Sequence, residues 1–286
     1  MTEQIKVVDS PGRFPGVIFM VENMVQCKYV GVKRKLWISH LRWSGNEREG
    51  DGNPMQEECI VCKAPLIYLE QDEWMECELC HKKELSKTRC QNGHYVCNDC
   101  HTKGLDTILS LCIDETSRNP IEIVRKMMDA PFCHMHGPEH HVMVGAALLT
   151  AYKNAGGSIN LRESLIEMLN RGKAVPGGTC GFWGACGAGI SAGICVSILS
   201  GATPLTEESW GLSNQMTSKA LEAISRIGGP RCCKRDSYLA ILAAVDFVKT
   251  HFEIEMECTE IQCTHYAQNN QCIGKRCPFW RFDDSI

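Results

Sequence analysis

Residues Pro176–Ala202 read PGGTCGFWGACGAGISAGICVSILSGA, a segment in which eight glycines and three cysteines crowd together before the chain turns apolar. Glycine inside a helix costs roughly 1 kcal/mol relative to alanine. A run that holds Gly184, Gly187, Gly189 and Gly193 therefore belongs to backbone that must approach something closely. The segment reads as a loop feeding a buried helix, with Cys180 on the loop and Cys186 at the helix start, where unpaired N–H groups and the helix dipole favour thiolate. Two uses follow. The cysteines hold a metal cluster or present a reactive sulfur, or the small residues serve only close helix packing around inert, buried thiols.

Helices dominate on both sides of this stretch. Toward the C terminus, Thr206 is placed to cap an amphipathic helix that runs to Ile227 and ends at Gly228-Gly229-Pro230, and Asp236 to cap RDSYLAILAAVDFVKTHF. Toward the N terminus, Asn119 caps a helix with Pro120 in its first position, and Gly137-Pro138 opens an apolar helix ending at Gly156-Gly157. Asn160 and Glu163 form a capping box whose helix Gly172 stops. At least five helices make a mainly α domain over residues 112–286.

A different pattern precedes it. Cys59-x2-Cys62 and Cys77-x2-Cys80 flank a strand-like run, Pro65–Glu70, and are followed by Cys90, His94, Cys97 and Cys100. A tetrahedral zinc ion takes four soft ligands, and each CxxC turn presents two sulfurs about 2.3 Å from it. Eight ligands make two closed, structural zinc sites. In chain order the quartets are Cys59, Cys62, Cys77, Cys80 and then Cys90, His94, Cys97, Cys100; a cross-braced partition is the alternative. His81 and His101 read as solvated neighbours. The expected fold is α+β: a small zinc-ribbon or treble-clef-like module over residues 55–111, then the helical domain. Residues 1–54, with strand-like GVIFMV and KLWISHLRW and the linker NEREGDGNP, form an N-terminal extension.

Composition narrows the function. A net charge of −4 implies no broad basic surface, which argues against general nucleic-acid binding. Nineteen cysteines without a recognisable secretory leader point to metal ligation in a reducing, oxygen-poor cytoplasm rather than to disulfides. The Gly-rich helix is too short and too interrupted to span a membrane.

Chemistry can gather at three places. His134, His136, His140 and His141 fall within eight residues, with Glu139 among them. Of these, His134, His136, Glu139 and His140 are the candidate catalytic residues, able to contact a substrate carboxylate, bind a metal or act as a base near neutral pH; the alternative is capping and solvation. Cys232 and Cys233, flanked by Arg231, Lys234 and Arg235, form a second place where thiolate is stabilised. The tail supplies Cys258, Cys263, Cys272 and Cys277-Pro278. A tail as polar as QCTHYAQNNQCIGKRCP gains little by packing alone. Metal bonds would tether it, so some of Cys180, Cys186, Cys232, Cys233, Cys263, Cys272 and Cys277, brought together from distant parts of the chain, are expected to hold one iron–sulfur cluster. The competing reading is that they are ordinary core thiols.

Several of these motifs carry resemblances. The run His136-Gly-Pro-Glu-His-His, the Thr179–Gly193 block, Gly-Gly-Pro-Arg-Cys-Cys-Lys-Arg-Asp and the closing Cys-Ile-Gly-Lys-Arg-Cys-Pro-Phe together resemble an uncharacterised cysteine-rich domain family of anaerobic bacteria and methanogenic archaea, over about residues 58–280. That family brings no established reaction. Cys90–Cys100 resembles the central C…GH…CxxC segment of RING-type and treble-clef fingers, but the later cysteine pair of a RING is missing, so ubiquitin-ligase function is not implied. A histidine-bearing, Gly-Pro-containing helix start followed by a Gly-rich helix with cysteines is similar to iron–sulfur L-serine dehydratases and cysteine desulfidases. That similarity implies a 4Fe–4S cluster and removal of water or sulfide from a small amino acid. Glu139-His140-His141 replaces their SSHT-type segment, and they lack the zinc module. The expectation is an oxygen-sensitive iron–sulfur enzyme, a lyase or sulfur-handling enzyme, acting on a small anionic substrate as a homo-oligomer or with a partner enzyme. Its alternative is a non-catalytic zinc and iron–sulfur adaptor or cluster carrier that docks on an anaerobic enzyme.

Overall fold

A computed structural model describes residues 59, 61, 62, 64–101 and 104–280, so the extension expected over residues 1–54 lies outside the described residues. The chain is α+β, with a small cysteine-rich hairpin module ahead of a mainly helical region. Strands β1 (Leu66–Glu76) and β2 (Lys83–Cys90) pair antiparallel, Leu66 opposite Cys90 and Trp74 opposite Leu85, with a break in register between Tyr68 and Glu73. A lone two-stranded ribbon is marginal in water. Its two ends are instead held by cysteines, and a short helix α1 (Asn98–His101) follows.

The helical region comprises α2 (Asp106–Ile113), α3 (Pro120–Met128), α4 (His140–Asn154), α5 (Leu161–Lys173), α6 (Thr179–Phe182), α7 (Gly187–Leu199), α8 (Glu208–Ile227) and α9 (Cys233–Phe252). Helix α4 is buried at every residue from His140 to Ala151, and a helix apolar all round belongs in the core. Helices α2, α3, α5, α7 and α9 pack around it. The Gly145 N–H donates to Ser191 Oγ at 2.9 Å, fixing α7 against α4. On its other side α7 meets α8. A Cβ at Gly193 would lie 1.8 Å from Thr217 Oγ1 and 3.2 Å from the Ser213 carbonyl, and one at Gly189 would lie 2.8 Å from Leu221. What these glycines approach is a neighbouring helix.

Local signals account for most helix ends. The Asn119 side chain accepts from the Ile121 N–H at 3.0 Å, and Asn160 from the Glu163 N–H at 3.4 Å. Three expectations are displaced. Thr206 Oγ1 accepts from the Thr203 N–H and donates to the Thr203 carbonyl, closing a turn ahead of α8 rather than capping it. Cys232, not Asp236, caps α9, because the Asp236 carboxylate is engaged by Arg235 Nε at 3.0 Å while Cys232 Sγ accepts from the Arg235 N–H. Gly172 lies inside α5. Among the described residues no helix is long and apolar enough to cross a membrane.

Two tests follow from this packing. Gly193→Ala gains helix propensity of roughly 1 kcal/mol but overpacks the α7–α8 contact by about 1–3 kcal/mol, so a net loss of stability is expected in urea melts. The second concerns Cys112 in α2, whose thiol burial pushes from 9.0 up to about 11. A raised thiol keeps its full contribution below pH 9 and loses it as pH climbs through 11, by about 1.4 kcal/mol per pH unit. Cys112→Ala should lessen the alkaline fall in stability over that window.

Candidate functional site

The cysteine module folds its ligands into two groups: Cys59, Cys62, Cys90 and His94, and Cys77, Cys80, Cys97 and Cys100, each with its ligand atoms within 4.8 Å of one another. Sulfurs bound 2.3 Å from one tetrahedral ion lie about 3.8 Å apart. Cys62 Sγ stands 3.8 Å from Cys90 Sγ, and Cys80 Sγ 3.5 Å from Cys97 Sγ. The partition is thus cross-braced, which corrects the chain-order quartets. Its cause is the hairpin: pairing sets Cys90 opposite Leu66 beside the first knuckle, while Tyr95 bridges to Cys77 and carries Cys97 and Cys100 to the second. Backbone N–H groups draw two of these thiols down, while burial pushes Cys59, Cys97 and Cys100 up. The N–H of Ala64 leads in drawing Cys62 down to about 6; in Cys77 burial raises the thiol, but the N–H groups of Cys97, Leu79 and Cys80 bring it to about 6. With four protein ligands each, both groups fit closed structural ions.

The seven candidate cluster cysteines fall into two sets. Cys232, Cys263, Cys272 and Cys277 line one small cavity with Tyr238 and Asn269, and Cys180, Cys186 and Cys233 do not line it. Cys186, at the start of α7, lies 3.9 Å from Asp236 Oδ2 and is close enough to Cys180 and Cys233 to be felt electrostatically. The adjacent pair Cys232-Cys233 therefore serves two neighbourhoods, one residue each. Among the described residues neither set brings three ligand atoms within 4.8 Å, in contrast to the module quartets. Burial pushes Cys232 up to about 11 and Cys186 up to about 12. A bound cation would reverse that preference.

A cleft of about 740 Å³ runs between the hairpin and the helical region, lined by His101, His134, His136, Arg231 and, from β2, Lys87 and Arg89. His136 Nε2 donates to Asn269 Oδ1 at 3.2 Å, and Asn269 Nδ2 donates to Cys232 Sγ at 3.4 Å. A cleft histidine is thus two hydrogen bonds from the four-thiol cavity. Glu139 is fully buried at the head of α4, its carboxylate 3.4 Å from His101 Nδ1 and 3.3 Å from His134 Nδ1 and accepting from the His134 N–H at 2.7 Å. Burial would raise this carboxyl, but His101 and His134 beside it hold it well below the usual carboxylate range.

His140 departs from expectation. It is buried away from the cleft, with Nδ1 donating to the Gly137 carbonyl at 3.0 Å and Nε2 3.7 Å from Cys133 Sγ, and burial followed by the nearby Lys234 charge pushes it down to about 3. Such a ring holds the start of α4 rather than meeting a substrate. Two residues that sequence reasoning passed over take part: Cys133, which opens the histidine segment and so had a usable signal, and Asn269, which had none. Two others act otherwise than expected. His101, read as a solvated neighbour, is held against Glu139, and Lys234, read as stabilising Cys232 and Cys233, is buried with Nζ 2.8 Å from Cys133 Sγ.

These features define a helical domain preceded by two Cys/His ligand quartets. A family profile matches residues 108–280, and the chain belongs to that family, a family of unknown function, DUF5714. The matched range holds the helical region and the tail, in keeping with the resemblance drawn from the same motifs, and leaves the quartets outside it. No curated protein and no solved structure matches the chain.

The cross-brace has a stoichiometric consequence. Cys62→Ser combined with Cys90→Ser should release one metal equivalent by elemental analysis, and Cys62→Ser combined with Cys80→Ser two. Chain-order quartets would reverse those results.

Proposed function

We propose that the protein is an iron–sulfur enzyme that acts on a small anionic substrate in the cleft, in a lyase or sulfur-handling reaction. The observation that carries this reading is the cavity of four thiols, Cys232, Cys263, Cys272 and Cys277, joined through Asn269 to His136 on the cleft wall. A donor set of thiols alone selects zinc or iron–sulfur, and a spacing wider than one tetrahedral ion requires favours the polynuclear choice. When bound, such a cluster supplies a Lewis-acidic iron or carries an electron. Arg231, Lys87 and Arg89 line the cleft against Asp72 and Glu84, a cationic excess that suits a carboxylate. His136, which lines the cleft and is held through Nε2 by Asn269, is the base in this reading, taking a proton from the carbon beside that carboxylate. Thiols in such numbers suit a reducing, oxygen-poor cytoplasm.

A second reading, a non-catalytic adaptor or cluster carrier, is favoured by one observation: Trp74 and Leu85 face each other across the hairpin and are 73% and 55% exposed. An apolar pair held in the open suits a docking partner.

Protein purified without oxygen should contain iron and acid-labile sulfide. Cys272→Ser should lose most of both while keeping the metals of the two quartets, whereas His136→Ala should keep the iron and lose turnover. Wild-type protein that takes up no sulfide on anaerobic reconstitution would overturn the iron–sulfur reading, and His136→Ala with unimpaired activity would remove its catalytic part.

A further inference from the structure

We infer that His101, His134 and Glu139 form a third metal centre, a mononuclear site for a divalent ion of the zinc class, with one coordination position open to the cleft. The inference goes beyond the iron–sulfur reading and does not depend on it.

Spacing is the first support. Nitrogen and oxygen ligands 2.0–2.1 Å from a tetrahedral ion lie about 3.4 Å from one another. His101 Nδ1 stands 3.4 Å and His134 Nδ1 3.3 Å from the Glu139 carboxylate, on different oxygens, and the two rings lie 4.5 Å apart between centroids at 60°. Hydrogen bonding is the second. His101 Nδ1, His134 Nδ1 and Glu139 Oε2 are each buried and have no hydrogen-bond partner. Three polar atoms in that state, drawn together from two elements, leave an unmet demand that one cation satisfies. The competing account makes both rings imidazolium around one carboxylate. It would bury two cations against one anion without the hydrogen bonds that such a group requires.

The surroundings fit a ligand set as well. The His134 N–H donates to Glu139 Oε1 at 2.7 Å, which fixes the carboxylate as outer contacts do at metal sites. A Cβ at residue 137 would lie 2.1 Å from Glu139 Oε2, so only glycine there lets the carboxylate take this position. His101 and His134 line the cleft while Glu139 is sealed behind them, which turns the remaining position toward the cleft. Two neutral imidazoles and one carboxylate leave a divalent ion with a net positive charge. Such a centre takes an anionic oxygen ligand, the carboxylate of a substrate or a hydroxide, and lowers the pKa of bound water to about 7.

The test uses full-length protein with its quartets loaded, treated with a mild chelator and titrated with Co(II). Wild type should take up a further equivalent whose spectrum shows tetrahedral d–d absorption without a thiolate charge-transfer band, and Zn(II) should displace it. His134→Ala and Glu139→Gln should keep the quartet metals and bind that equivalent about 100-fold more weakly or worse. The inference is overturned if wild type takes up no such equivalent, if its spectrum carries the thiolate band, which would place the ion at Cys133, or if both variants bind as tightly as wild type. Should the variants fail to fold, the wild-type spectrum decides alone. Absence of labile sulfide leaves this result untouched.

Discussion

A carboxylate without solvent exposure must be compensated where it lies, and Glu139 is such a group. Its companions come from two directions: His101 ends α1 of the cysteine module, and His134 belongs to the loop ahead of α4. One buried charge thereby couples the hairpin module to the helical core and sets the wall of the cleft between them. The same residue occupies the capping position of α4, with its carbonyl accepting from the Met143 N–H at 3.0 Å, so the helix around which the bundle packs starts from this point.

From α4 outward the architecture follows from small residues and returning chain. Helix α7 lies close enough to α8 for glycine to be required between them, and its opening carries Cys186 toward Asp236. The tail has few apolar groups, yet it is not loose. Asn119 Nδ2 donates to Thr259 Oγ1, the Glu257 N–H donates to the Arg118 carbonyl, and the Tyr238 and Phe279 rings meet edge to face at 5.4 Å. These contacts bring Cys263, Cys272 and Cys277 to the start of α9, where Cys232 caps the helix with its sulfur.

Fold class was legible because its signals are local. Knuckle spacing and the Asn119 and Asn160 caps each act within a few residues, and each appears in the structure. Partition of the ligands was not legible, since it depends on how the hairpin brings Cys90 back to Cys62 rather than on spacing along the chain. The histidine segment was recognisable as a group, but composition could not say which rings face water. His136 and His134 reached the cleft, and His140 was turned inward by its bond to the Gly137 carbonyl. Glycine density indicated close approach without indicating to what. Asn269 had no distinguishing neighbour in sequence, and its place between His136 and Cys232 exists only after a tail more than a hundred residues away has docked.

That docking bears on how the molecule is made. The bonds from Asn119 to Thr259 and from His136 to Asn269 span 140 and 133 residues, and contacts so distant in sequence form late because long loops must close first. On the ribosome, the hairpin and its quartets emerge well before the tail and have all their ligands in hand. The four-thiol cavity is different: its cysteines run from Cys232 to Cys277, so it cannot close until the chain has been made past Cys277. Assembly therefore has an order, with both module quartets complete on a nascent chain well before the thiol cavity can form. A chain truncated before Cys263 would still carry every quartet ligand and could never complete the cavity.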